Sequence, residues 1–277
     1  MQQAAPPRFV LDPDDPRAPP QADWDAMTED ERRAVVESLP AEVPLELHPP
    51  EGDRHHDAKE AALDALRRYF RSIHRRIYVT SELATYYPAQ PRFCPDLLAV
   101  LEVDDHPRDS WMVSREGRGL DLALEVYWKG DERKDFTLNV ERYARLGIGE
   151  YFVLDLRRER LLGYRLPPGG GEYQPLVPQH GRWGSQVLGL DLSLEQGGVR
   201  FYAGTAPLPG ADELLHRVQA MLDEVIQKRL AAEAQLADAE AKAQAESTRR
   251  TDAEKRVAEL LAELERLRAE LAGPRKS

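Results

Sequence analysis

A single cysteine, Cys94, is all that this sequence holds, which excludes an internal disulfide framework and a cysteine-based zinc site within one chain. In the run FCPD it reads as a small core side chain at a strand start, not as a nucleophile. No apolar run reaches the length of a bilayer span, and no charged-then-apolar signal opens the chain. The expectation is therefore a cytoplasmic protein with no membrane partner. Positive charge is also in deficit. With 49 Asp and Glu against 38 Lys and Arg, the net charge is −11, so attraction of nucleic acid by the whole surface is excluded and only a local basic face or a metal can supply it. Serine–histidine–aspartate chemistry has no nucleophile-elbow motif here, and the glycines of PPGGGEY lack a P-loop lysine or a dinucleotide fingerprint.

What is present divides into three parts. Residues 1–23 carry proline after proline and predict a flexible leader, part of an N-terminal region 1–49. Within it TEDERRAVVESLP (28–40) predicts a short helix, with Thr28 and Glu31 forming a capping box and Pro40 ending it. The proline-broken run VPLELHPPEG links this region to the next. DAKEAALDALRRYFRSIHRR (57–76) has its apolar residues at helical spacing. The period then changes to strands: IYVTSELATYY reads as one, and FCPDLLAVLEV (93–103), apolar on both faces, as a central one. A strand at 119–128, a helix from about 131 to 146 capped by Gly147, a strand pair in 150–166 and weaker strands in 172–202 complete an α/β domain over 50–205.

From residue 211 to 272 the pattern is that of a coiled coil. Beginning at Val218, alternating steps of four and three reach Leu222, Val225, Arg229, Ala232, Leu236 and onward to Leu260, Leu264, Leu267 and Leu271, with no glycine or proline before Gly273. The expected partner for that seam is a second copy of the chain, in a parallel homodimer.

The chemistry centres on LDLALEVYWKGDERKD. Its alternation predicts a strand, yet Glu125 falls among apolar neighbours, where a carboxylate is costly unless paired, hydrogen-bonded or bound to a metal. In CPDLLAV, Asp96 opens the central strand. If the two strands pair antiparallel across their connecting loop, Asp96 lies beside Glu125. Two carboxylates at one sheet end with a lysine beyond suit divalent-metal phosphoryl transfer, oxygen ligands holding Mg²⁺ or Mn²⁺. The doublets His55–His56 with Asp57, and Asp104–Asp105 with His106, are adjacent in sequence rather than spaced to converge, and read as turn and helix-cap residues.

The runs PDLLAV, LALEV and NVERYARLGIGEYFVLDLRRERLLGYRL, in that order, resemble the Uma-two family of restriction-like endonucleases, within the PD-(D/E)xK nuclease superfamily. The likeness covers roughly residues 50–202. It implies a restriction-endonuclease-like mixed sheet flanked by helices, with Asp96 and Glu125 as metal ligands, Glu82 of SELATYYP as a further acidic group, and DNA as substrate. The superfamily lysine, two residues after the glutamate, is replaced by Tyr127. Family relatives carry a lysine on the following helix, where this chain has Asn139. Lys134, just over one helical turn earlier, and Lys129 at the strand end are the candidates to replace it, and Lys134 is favoured because a helix start over the sheet end aims its first side chains at that edge. The basic runs 66–76, DERKD with NVERYAR, and 155–165 are candidate contacts to the DNA backbone. The second reading is a nuclease fold without efficient chemistry, working as a scaffold through its coiled coil.

Overall fold

The computed structural model describes residues 9–42, 44 and 52–271, with side chains to residue 268. Most of the linker VPLELHPPEG, the first eight residues and the seam position Leu271 thus lie outside the described side chains. Two short helices, α1 (Gln21–Asp25) and α2 (Glu29–Ser38), precede the long α3 (Asp53–Ser72). Strands β1 (Ile77–Ser81), β2 (Thr85–Tyr86), β3 (Leu97–Leu101) and β4 (Trp111–Met112) follow, then one turn of helix, α4 (Val113–Glu116), and β5 (Leu122–Tyr127). A π-helical turn, Lys134–Leu138, runs directly into α5 (Asn139–Arg145). Seven strands come next: β6 (Glu150–Asp155), β7 (Arg160–Arg165), β8 (Gln174–Pro175), β9 (Arg182–Ser185), β10 (Leu190–Glu195), β11 (Gly198–Ala203) and β12 (Ala206–Pro207). Last is α6 (Ala211–Leu271). The chain divides into two compact units, Met1–Ala211 and Asp212–Ser277. Among the described residues no helix is long and apolar enough to cross a membrane.

The first unit is a mixed α/β domain built on a six-stranded sheet ordered β1-β3-β5-β6-β7-β8. All neighbours are antiparallel except β5 and β6, which the π turn and α5 connect in parallel. Leu97, Leu98, Ala99 and Val100 of β3 are wholly buried, because both faces of the sheet are covered. On one face Ala62, Leu66 and Phe70 of α3 pack with Val79, Leu97, Leu124 and Phe152, together with Leu192 and Phe201 of a four-stranded sheet ordered β12-β11-β10-β9. On the other, Tyr143 of α5 packs with Leu98, Ala123, Tyr127 and Tyr151. Glu125 sits on β5 between Ala123 and Tyr127 and shares this second face by the two-residue period of a strand.

Three expectations need correction. The leader 1–23 is not loose where it is described: Ala18 is buried and Phe9 and Leu11 pack against the same cluster, which Trp24, Met27, Val35, Leu39, Ala84, Tyr86 and Met112 complete, and Arg17 and Ala18 form bridges to Pro91 and Pro88. Proline-fixed extended backbone needs no ladder of its own, and one tryptophan and a small alanine suffice to anchor it. IYVTSELATYY is not one strand, since Glu82 adopts a left-handed backbone (φ 55°) and its N–H donates to the Pro95 carbonyl at 3.2 Å, separating β1 from β2. The helix after β5 is not α-helical throughout, since the π turn interrupts it just after residues 132–133. Elsewhere the Thr28–Glu31 capping box forms as drawn, and Gly147 takes φ 75° after α5.

Candidate active site

The pairing of β3 with β5 sets Leu97 opposite Leu124, so the next residues outward, Asp96 and Glu125, face one another at the sheet end. The Asp96 N–H donates to Glu125 Oε2 at 3.3 Å, and the Val126 N–H donates to Asp96 Oδ2 at 2.7 Å. Both residues are buried. From α3, the buried His55 brings Nε2 to 3.2 Å from Asp96 Oδ2. This overturns the assignment of His55 to turn or cap chemistry: it lies inside a helix turn whose face meets the sheet end.

Glu125 is held from the opposite side by α5. The Tyr143 hydroxyl donates to Oε1 at 2.7 Å, and the Asn139 amide donates both to that oxygen at 3.3 Å and to Asp135 Oδ1 at 3.2 Å. Tyr151 donates to the Asp135 carbonyl at 2.9 Å, fixing the π turn against β6. Such one-turn π insertions inside helices recur at functional sites. Here the turn carries Lys134 and Asp135 to the carboxylate edge.

Other buried carboxylates of the same sheet show what is distinctive about Glu125. Glu150 is bound by Arg165, by Ser185 and by the Gln186 N–H, and Asp155 by Arg158 and Arg160. Each has an arginine. Among the described residues Glu125 is hydrogen-bonded only by neutral donors, beside Asp96 and Asp135. Burial, and then those two like charges, raise its carboxyl well above the usual carboxylate range, with Lys134 and the Tyr143 hydroxyl pulling less strongly the other way. Burial and Asp96 likewise lift Asp135 to about 6, against the pull of Lys134. For Asp96 burial is outweighed by His55, the Val126 N–H and Lys134, and its carboxyl is held below the usual value. Lys134, partly buried, is raised, because facing Glu125, Asp135 and Asp96 overcomes its desolvation. It remains an ammonium at neutral pH.

The structure therefore brings Asp96, Glu125 and Lys134 to one sheet end. Lys129 is exposed just beyond β5. Glu82 stands nearby through its bond to Pro95, but its carboxylate is ion-paired with the buried Lys59 of α3. Burial and the charges of Glu125 and Asp96 push the Cys94 thiol up to about 12, so it stays protonated. Among the described residues no group of three or more His, Cys, Asp and Glu is arranged to hold a metal ion. Two convergent carboxylates do match Mg²⁺, which is commonly held by one or two protein carboxylates with waters or phosphate oxygens completing its shell. The pair offers hard oxygen donors alone, the kind that a divalent cation takes.

Many basic side chains of the candidate DNA-contact runs are engaged within the fold. Arg68 pairs with Asp64, Arg75 with Glu102, Arg76 with Asp104, and Arg158 with Glu132. Exposed near the site are Lys129, Arg133 and Arg54, the last stacked over Trp128 at 5.5 Å.

Comparison with known proteins decides the family. The model of Uma2, described as "Putative restriction endonuclease", matches residues 40–196, more than half of the chain. The chain belongs to the Uma2 family. Its restriction-endonuclease-like α/β core is the Uma2 domain, and the long α6 lies outside the matched span. The crystal structure of a putative nuclease belonging to DUF820 from Anabaena variabilis is similar, with 15% identity over 47% of this chain and 73% of that one and a TM-score of 0.37. No curated protein matches the sequence.

Residues missed by sequence reasoning are Asp135, Tyr143 and His55 as members of this cluster, and Asn139 as more than a vacant lysine position. The YARLG block signalled that α5 mattered, but not that its hydroxyl and amide groups converge on Glu125.

Proposed function

We propose that this Uma2 protein is a metal-dependent endonuclease that hydrolyses DNA phosphodiester bonds, with Asp96 and Glu125 holding Mg²⁺ or Mn²⁺ and Lys134 completing the catalytic set. Glu82 is proposed as an outer acidic group that enters only if its pairing with Lys59 opens. The observation that carries the reading is the contact of Asp96 with Glu125 at the end of β3 and β5 under the charge of Lys134. The family's description as a restriction endonuclease supports DNA as the substrate.

A divalent ion at the pair would supply Lewis-acid stabilisation of the phosphate's charge. The chain's own residues do the rest. His55 and the Val126 N–H orient Asp96, while Tyr143 and Asn139 orient Glu125. Lys134, held as an ammonium, acts by donation: it positions the attacking water and offsets negative charge building on the phosphoryl oxygens, and it is not a base. Lys129, Arg133 and Arg54 offer exposed cations to the flanking phosphates, a local footprint on an otherwise acidic molecule.

The test is cleavage of supercoiled and linear DNA, with RNA alongside, at fixed low salt in Mg²⁺, Mn²⁺ or chelator. Metal-dependent nicking that Asp96→Asn and Glu125→Gln abolish, with circular dichroism unchanged, is the expected result. Neither cleavage nor divalent-ion binding by calorimetry would leave the fold serving as a scaffold.

A further inference from the structure

The geometry points to a second copy of this chain as the occupant of the apolar face of α6, in a parallel and in-register two-stranded coiled coil. The helix runs unbroken for 61 residues, about 90 Å at 1.5 Å per residue. Along it Leu222 and Val225 near one end and Val257, Leu260 and Leu264 near the other fall on one 4-3 seam, and each remains 46–61% exposed. The heptad register makes Leu222, Leu236, Val257 and Leu264 a positions and Val225 and Leu260 d positions.

Orientation follows from the flanking charges. In a parallel pair each g residue faces the e residue five positions later on the other helix. Three such pairs are fully charged: Lys228 with Glu233, Arg249 with Glu254, and Glu263 with Arg268. All three are opposite in sign, and twofold symmetry doubles them. A fourth, Met221 with Ile226, is apolar and widens the seam. An antiparallel pair of full overlap keeps one attractive pair, Lys228 with Glu263, but sets Lys242 against Arg249 and Glu233 against Glu254, each twice and each repulsive.

The polar seam residues fit the same arrangement. Arg229 and Arg250 occupy a positions, and each is already ion-paired along its own helix, with Glu233 at 2.7 Å and Glu254 at 3.0 Å. Glu246 fills the d layer just before Arg250. In register, two acids stack on two arginines one turn away. A slip of one heptad sets each of them against apolar layers, Ala239 or Ala253 for Glu246 and Ala243 or Val257 for Arg250, so the quartet fixes the register as a buried polar layer does.

The experiment uses the full-length chain. Sedimentation should give twice the chain mass at micromolar concentration, and a monomer or a higher oligomer overturns the proposal. Leu264→Cys should form a disulfide-linked dimer on its own, the native Cys94 being buried. A link that appears only when Leu264→Cys is mixed with Val225→Cys is the antiparallel result and overturns it. Glu233→Lys with Glu254→Lys should weaken association at least about tenfold, since several flanking pairs turn repulsive together. Adding Lys228→Glu and Arg249→Glu should restore it. Association unchanged by the first pair of substitutions would mean that these positions do not flank the interface.

Discussion

The backbone N–H of Asp96 donates to Oε2 of Glu125, so the two carboxylate-bearing residues touch across an antiparallel ladder before any ion or substrate arrives. That contact is a consequence of register. One residue of slip between β3 and β5 would send Glu125 to the α3 face, among Leu122, Leu124 and Val126, and away from the Tyr143 and Asn139 donors that now hold it.

The choice of lysine is open to direct measurement. Lys134 feels Glu125, Asp135 and Asp96, whereas Lys129 is exposed beyond the strand. Lys134→Ala should lower the cleavage rate roughly 100-fold or more, the range expected for a group acting in the transition state, and Lys129→Ala should act mainly through binding. Asn139 already bridges Glu125 and Asp135, so Asn139→Lys in the Lys134→Ala background should recover part of the rate by placing an ammonium beside both carboxylates. The opposite ranking of Lys129→Ala and Lys134→Ala in kcat would assign the role to Lys129.

His55 is expected to work through Asp96. Its Nε2 lies 3.2 Å from Oδ2, and loss of a group that orients a ligand typically costs 10–100-fold in metal affinity or activity. His55→Ala should therefore raise the Mg²⁺ concentration for half-maximal cleavage by about that factor, while His55→Gln, which keeps a donor, should recover much of it. An unchanged Mg²⁺ requirement in the alanine variant would reduce His55 to packing.

Asp135 gives a pH signature. Burial, helped by Asp96, lifts its carboxyl from 3.8 to about 6 in the fold. The folded chain thus holds a proton that the unfolded chain has released, and the stability this contributes is fully present below 3.8 and lost as pH rises through about 6. Asp135→Asn cannot ionise. The melting-temperature advantage of that variant over the parent should be smallest in acid, grow across this interval and level off above it, measured without divalent ions. A difference constant over the whole range would contradict the assignment.

How far the sequence reveals these arrangements depends on the reach of its signals. Asp96 and Glu125 are legible together because the two long strands pair antiparallel although β4 and α4 intervene, and the start of one then lies beside the end of the other. His55 is not, since its partner lies 41 residues away on another element and nothing local marks one helix face as the one that meets the sheet. Asp135 is hidden by the π turn: periodicity assumes 3.6 residues per turn, and a wider turn rotates every later side chain off the expected face. The left-handed Glu82 is equally silent, because it is not a glycine and no residue type in IYVTSELATYY marks a positive φ.

The N-terminal segment is where composition misleads most, and it yields a stability prediction. Few large apolar residues and many prolines make residues 1–23 read as a leader, yet Ala18, Phe9 and Leu11 pack into a cluster built on the next residue, Trp24, which is only 6% exposed among Val35, Tyr86 and Met112. Arg32 stacks over its ring at 5.5 Å and donates to the Trp24 carbonyl at 3.0 Å. Tyr86, in turn, reaches back to the Pro40 carbonyl at 2.7 Å, tying β2 to the end of α2. Trp24→Ala should therefore cost about 3 kcal/mol in urea unfolding, at the lower end for a buried tryptophan because the cluster lies at the edge of the domain. Trp24→Phe should lose clearly less, since it keeps most of the buried ring. Amide exchange at Thr85 and Tyr86 should rise in the alanine variant, β2 being short and supported by this cluster. Wild-type stability in Trp24→Ala would show that residues 9–27 lie on the domain without contributing to its fold.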